Sequence, residues 1–251
     1  MTGAQQHGDA HALLRSLPDG ISAAAFFDPQ HRSTLERLQY GNEGARQKLR
    51  CALPAMSDSY IEQCCRDFAR VLRPRGYMFL WVDAFRLCRG DHLQVADVLP
   101  CVDLIAWDNR RFGMGYRSRR CGDYLLILQK PPLLAKATWR DHGIRDRWVE
   151  KVDTRIHPHI KPAGLIRRLI TAVTAPGDLI IDPAAGSFLV MHIAHELGRR
   201  FSGCDLCPKT AASSPAAQPR RRAPTAADRV KTTRKLSPEE IALESLMAFG
   251  E

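Results

Sequence analysis

Residues 21–27 form an apolar run of strand length that stops at Asp28-Pro29. A second run, residues 178–182, ends in Asp182 and passes into Pro183-Ala184-Ala185-Gly186-Ser187, a turn of small residues ahead of a helical pattern. Runs this apolar read as strands buried on both faces. Such strands need helices above and below them, which selects an open, mostly parallel α/β sheet. Ligands of these sheets sit at the carboxyl ends of the strands, so the two turns are candidates for two halves of one site.

The rest of the first 206 residues alternates in the same way. Strands are predicted at 22–27, 77–82, 102–107, 124–129, 178–182 and 200–205, with helices between them. Ser57 or Asp58 can cap a helix whose apolar positions Ile61, Cys64, Cys65, Phe68, Ala69 and Leu72 recur at helical spacing, stopped by Pro74 and Gly76. Residues 165–173 and 187–197 repeat the pattern, the first ending at Pro176-Gly177 and the second closed by Gly198.

Composition restricts the class of protein. With 45% hydrophobic and 25% charged residues the chain can bury one large core. No apolar run approaches membrane-spanning length, and the polar start at Met1-Thr2-Gly3 lacks the regions of a signal peptide, so no membrane association and a cytoplasmic location are expected. The eight cysteines are scattered, several within apolar runs, as reduced core thiols are. Cys204 and Cys207 form a C-x-x-C with no second ligand pair after it, so no metal is expected.

The net charge of +10 points to a polyanionic partner, nucleic acid being the simplest. Residues 208–235 have the Ala/Pro/Ser/Arg bias of a disordered basic linker. Residues 236–251 are expected to form a short terminal helix, with Ser237 as cap, Pro238 in the first turn, and Ile241, Leu243, Leu246 and Met247 on one face.

Read in order, Gly8-Asp9-Ala10, Leu17-Pro18-Asp19-Gly20, Phe27-Asp28-Pro29, His157-Pro158-His159-Ile160-Lys161-Pro162, the turn from Asp182 to Ser187, and Gly203-Cys204-Asp205 resemble the β-class amino-DNA methyltransferases. The catalytic motif precedes the cofactor motif, as in that permuted class. The resemblance spans essentially residues 8–206 and implies a Rossmann-like methyltransferase fold over residues 1–207. It also implies S-adenosylmethionine as cofactor, double-stranded DNA as partner, and methylation of adenine N6 or cytosine N4, adenine favoured. An RNA methyltransferase and an inactive nucleic-acid-binding homologue are the alternatives. Homodimerisation stays open.

By resemblance, Asp182, Pro183, Ala184, Ala185, Gly186 and Ser187 bind the methionine part of the cofactor, and Ser187 opens a helix whose positive end favours its carboxylate. Asp205 is placed for the ribose diol, as an acid is at the equivalent strand end of dinucleotide-binding folds. His157 and Lys161 line the cofactor's far side, with Lys161 touching its carboxylate. Asp9 lies near its adenine, and Phe27 and Asp28 complete the cofactor set.

The catalytic set is Asp28, Pro29, Gln30 and His31. A flipped base would donate its amino hydrogens to the Asp28 carboxylate and the Pro29 carbonyl. The family's second proline and aromatic are replaced here by Gln30 and His31, so His31 becomes the candidate for stacking on the base. Gln30 either reads a base edge or shapes the turn.

DNA contacts are expected from three segments. Residues 30–56 carry Arg32, Arg46 and Lys48 and could close as a flap. Residues 109–120 hold Arg110, Arg111, Arg117 and Arg119 with two interleaved aromatics. Residues 133–156, with Arg145 and Arg147, occupy the family's target-recognition position; Trp139 and Trp148 there suit core anchoring as well as DNA contact.

Overall fold

The computed structural model describes residues 6–30, 56–113, 118–153 and 159–206. The chain divides into two units, Met1–Ser214 and Pro215–Glu251. The second unit, the whole of the expected linker and terminal helix, and Cys207 lie outside the described residues.

The first unit is built on β2 (Ser22–Phe27), whose six residues are all buried. Ala24 and Phe26 face one hydrophobic layer, Ala25 and Phe27 the other, as the period-two geometry of a strand requires. Parallel neighbours flank it, β7 (Leu179–Asp182) on one side and β3 (Leu72–Val82) on the other. Around this centre the eight strands follow the order β1-β8-β7-β2-β3-β5-β4-β6, where β1 is Gln6–His7, β4 Cys101–Asp108, β5 Tyr124–Gln129, β6 Arg147–Val149 and β8 Arg200–Asp205. Only the pairings of β5 with β3 and β4 are antiparallel.

Helices cover both faces, as a sheet buried on both sides demands. α1 (Ala10–Ser16) and α2 (Asp58–Val71) pack on the Phe27 face. Arg70 of α2 donates to the carbonyls of Leu14 and Leu17, capping the end of α1. α5 (Ala163–Val173) and α6 (Leu189–Glu196) pack on the Phe26 face. Short α3 (Ala84–Arg89) and α4 (Ala135–Thr138) complete the described helices, with a 3-10 turn at Asp91–Val95.

The expected strands at 22–27, 124–129 and 200–205 match their observed bounds. Other bounds shift, and three of these shifts have a local cause. α2 is capped by Ser57, whose Oγ accepts the Tyr60 N–H, but it ends at Val71 rather than running to Pro74 and Gly76. A residue before proline is pushed out of helical geometry, so Leu72 and Arg73 are already strand and β3 starts five residues early. Ser187 does not open α6: the helix begins at Leu189, because Phe188, fully buried, sits in the left-handed region at φ 55°.

Gly203 on β8 holds the site strands together. A Cβ there would lie 2.3 Å from the Asp182 carbonyl oxygen and 2.4 Å from the Phe201 ring. Gly203→Ala should therefore cost about 1–3 kcal/mol of stability through overpacking, measured as a lower midpoint in urea with an unchanged slope.

Candidate active site

β2 and β7 pair in parallel at Ala24↔Ile180 and Ala25↔Ile181, so the Asp28 turn and the Asp182 turn leave the sheet side by side. Between them lies a cleft of about 450 Å³. It gathers Phe27, Asp28, Lys161, Asp182, Ala184, Ala185, Gly186 and Ser187 from the expected site. Phe26, Trp81, His159, Ile166, Leu189 and Val190 join them.

The cleft is acidic at its floor. Asp182 is 5% exposed, and burial pushes its carboxyl up to about 8. The Ala184 N–H, donated to Asp182 Oδ1 at 3.2 Å, opposes the rise, and the charges of Asp28 and Asp205 reinforce it. Beside these acids stands one cation, Lys161, with Nζ 3.2 Å from Asp28 Oδ2 and 3.0 Å from Asp123 Oδ2. Burial works against its charge, but Asp28 and Asp123 prevail and raise it above the ordinary lysine value.

Several expected site residues have other surroundings. The Asp9 carboxylate caps α1 through the Ala12 N–H and accepts a 2.6 Å bond from the Tyr60 hydroxyl, which joins α1 to α2. Asp205 Oδ2 accepts the Gly186 N–H at 2.9 Å, bracing the small-residue turn from the neighbouring strand end. The Phe27 ring is fully buried against Phe68, which leaves its main chain for the cleft. The Pro183 carbonyl faces Cys204 Sγ at 3.4 Å. Pro29 lines a separate cavity with Ile61, Leu80, Val82 and Arg86. The Gln30 carbonyl accepts the Met56 N–H, tying together the two ends of the flap segment. His31, Arg32, Arg46, Lys48, Arg117 and His157 lie outside the described residues.

The segment of residues 109–120 emerges at the same sheet edge, because β5 runs antiparallel to β3 with Tyr124 opposite Val82. Arg110 is exposed, Arg119 lies 5.3 Å from the centre of the Phe112 ring, and Phe112 is 83% exposed. Arg111 instead reaches back to the Val152 carbonyl at 3.3 Å. Arg145 and Arg147 are exposed beside β6, Arg147 4.0 Å from Asp108. Both tryptophans of this segment are anchors: Trp139 meets Tyr77 edge-on, and the Trp148 indole donates to Glu150 Oε2.

Several site residues escaped the sequence, among them three with polar or aromatic side chains. His159 was findable, since residues two apart in an extended segment face one way and Lys161 was already assigned. Trp81 is the second-last residue of the strand beside β2, so the strand order would have exposed it. Asp123 carries no signal, being one acid before an ordinary strand. No metal-binding cluster exists among the described residues, and none of their helices is long and apolar enough to cross a membrane.

Known proteins place this geometry in a class. A family model described as DNA methylase, N6_N4_Mtase, matches residues 54–214. The Type II methyltransferase M.HhaII of Haemophilus parahaemolyticus is 47% identical over 197 residues, covering 77% of this chain and 86% of that protein. The DNA adenine methyltransferase YhdJ of Escherichia coli (strain K12) is 44% identical over 50 residues, 20% of this chain and 17% of that protein. The solved structure of the cytosine-N4-specific PvuII DNA methyltransferase superposes with a TM-score of 0.63 at 15% identity, over 84% of each chain. An M1.HpyAVI–SAM complex superposes at 0.59 and 18% identity, over 84% of this chain and 97% of that one. These two likenesses are of fold.

The chain belongs to the N6-adenine/N4-cytosine DNA methylase family. It is an S-adenosylmethionine-dependent DNA amino-methyltransferase. The cleft fits that cofactor on its own terms: the small side chains of Ala184, Ala185 and Gly186 leave room for a ligand against the turn, and the Asp28 carboxylate stands in the same cleft for a ligand that carries a sulfonium and an ammonium.

Asp182 gives a stability test. The folded protein keeps its proton up to about pH 8, whereas the unfolded chain releases it near about 3.9. Its contribution is whole below the unfolded value and drains away as pH rises toward the folded value. Asp182→Asn should gain stability relative to the parent from pH 5 to pH 8 and no further above about 8.5, read from thermal melts across that range.

Proposed function

We propose that this protein methylates the exocyclic amine of a base extruded from double-stranded DNA, adenine N6 in preference to cytosine N4, and that it works in the cytoplasm. The observation that carries this reading is the side-by-side emergence of the Asp28 and Asp182 turns around one cleft. The adenine preference draws on the match to a relative named as a DNA adenine methyltransferase.

Bound in the cleft, S-adenosylmethionine supplies an electrophilic methyl group. The chain's own residues do the rest. Asp182 through Ser187 would hold the cofactor against their small-residue turn, which Asp182 and Asp205 keep in shape by accepting the Ala184 and Gly186 N–H groups. The Asp28 carboxylate and the Pro29 carbonyl accept the two amino hydrogens of the target, which localises the nitrogen lone pair and aims it. Forming the nitrogen–carbon bond would break the methyl group's bond to the cofactor sulfur, whose electron pair stays on sulfur, and the nitrogen would shed one proton through Asp28, which is one-third exposed and so open to water. His31 stacks on the base.

Arg110 and Arg119 meet phosphates. They are exposed at the edge of the sheet where the cleft opens, and clustered arginines reward backbone contact. Arg145 and Arg147 are the candidates for base contact beside them.

Expression in a host without DNA methylation, followed by single-molecule sequencing of its genome, tests activity, modified base and recognition sequence together. Methylated adenine at a fixed sequence is expected; an unmodified genome refutes the reading. Asp28→Ala should reduce methyl transfer about 100-fold or more in a tritium-transfer assay while retaining DNA binding. His31→Ala should slow transfer; a variant as fast as the parent removes the stacking role. Arg119→Ala should weaken binding of all sequences alike and reduce the salt slope by about one, whereas Arg145→Ala or Arg147→Ala should change sequence preference.

A further inference from the structure

Lys161 is the buried member of a three-residue group. Its side chain is 14% exposed against 33% for Asp28 and 38% for Asp123. The ammonium also stands 4.8 Å from the centre of the Trp81 ring. Burying an ammonium is costly unless it is paired, and here two carboxylates from separate loops share it. Asp123 immediately precedes β5, and its carbonyl accepts the Trp107 N–H at 2.9 Å, so it rides on the sheet frame. Asp28 directly follows β2. Lys161 therefore links acids at the ends of two different strands.

This arrangement leaves the cation poorly suited to a third carboxylate. Its charge is already divided between two anions, with Asp182 nearby in the same cleft. We infer that Lys161, anchored by Asp123, is a positioning residue for methyl transfer: it fixes one oxygen of Asp28 and leaves the other for the target amine. The inference rests on the proposed role of Asp28. A small misplacement of an orienting group costs about 100-fold in rate, so the pin matters even though Lys161 touches no reacting atom.

The test uses the full chain, with unmethylated genomic DNA and tritiated cofactor in single turnover at saturating cofactor, and calorimetry for cofactor affinity. Lys161→Met should slow transfer about 100-fold with cofactor Kd changed less than about threefold, and Lys161→Arg should recover most of the loss. Asp123→Asn should slow transfer about tenfold; combined with Lys161→Met it should add nothing, because Asp123 acts through the lysine. Weakened cofactor binding with an unchanged rate at saturation would instead make Lys161 a cofactor ligand and overturn the inference, as would additive losses in the double variant.

A second measurement needs no activity. Carbon-13 NMR of the Lys161 side chain should show it protonated beyond the ordinary lysine range in the parent, with Asp28, Asp123, Asp182, His159 and Trp81 around it. In Asp28→Asn the titration midpoint should fall by about one unit. An unmoved midpoint breaks the coupling. A parent that methylates no DNA refutes the proposed function, while the titration still decides the link.

Discussion

The parallel pairing of β2 with β7 is the constraint on which the rest depends. Both strands are buried along their whole length, so neither can slip by one residue without exchanging side chains between two differently packed apolar layers and mispacking both. That register brings residues 28 and 182, distant in sequence, to one edge of one sheet. Every feature of the site, from the cleft to the arginine loops at its rim, is arranged around this edge.

Placing two acids side by side in a partly dry cleft carries an electrostatic cost. The molecule meets it in two ways. Asp182 keeps its proton to an unusually high pH because it is buried near other carboxylates. Asp28 shares the charge of Lys161. The same balance explains why a single lysine is held so tightly between two loops.

Legibility in the sequence followed the strength of the local signal. α2 could be read because Ser57 caps it and six of its apolar positions recur at helical spacing. β6 could not, because three residues carry no periodicity and owe their strand geometry to β4 beside them. The start of α6 was misplaced because nothing local marks Phe188 as left-handed; its burial in the core sets that conformation. Asp9 and Asp205 were found as important acids, yet the contacts described for them are a helix cap and a brace for the Gly186 turn.

By itself the sequence determined the alternation of strands and helices, the two carboxylate turns and the net positive charge, since each rests on hydrophobic period, turn chemistry or charge count; the ordered motifs added a resemblance to the amino-methyltransferases. Only the tertiary structure decided that Lys161 meets Asp28 and Asp123, that Trp139 and Trp148 serve as anchors, and that Pro29 faces a second cavity. The reason is physical: period and propensity act between near neighbours in the chain, whereas charge pairing and cavity shape depend on segments that only the packed sheet brings within a few ångströms of one another.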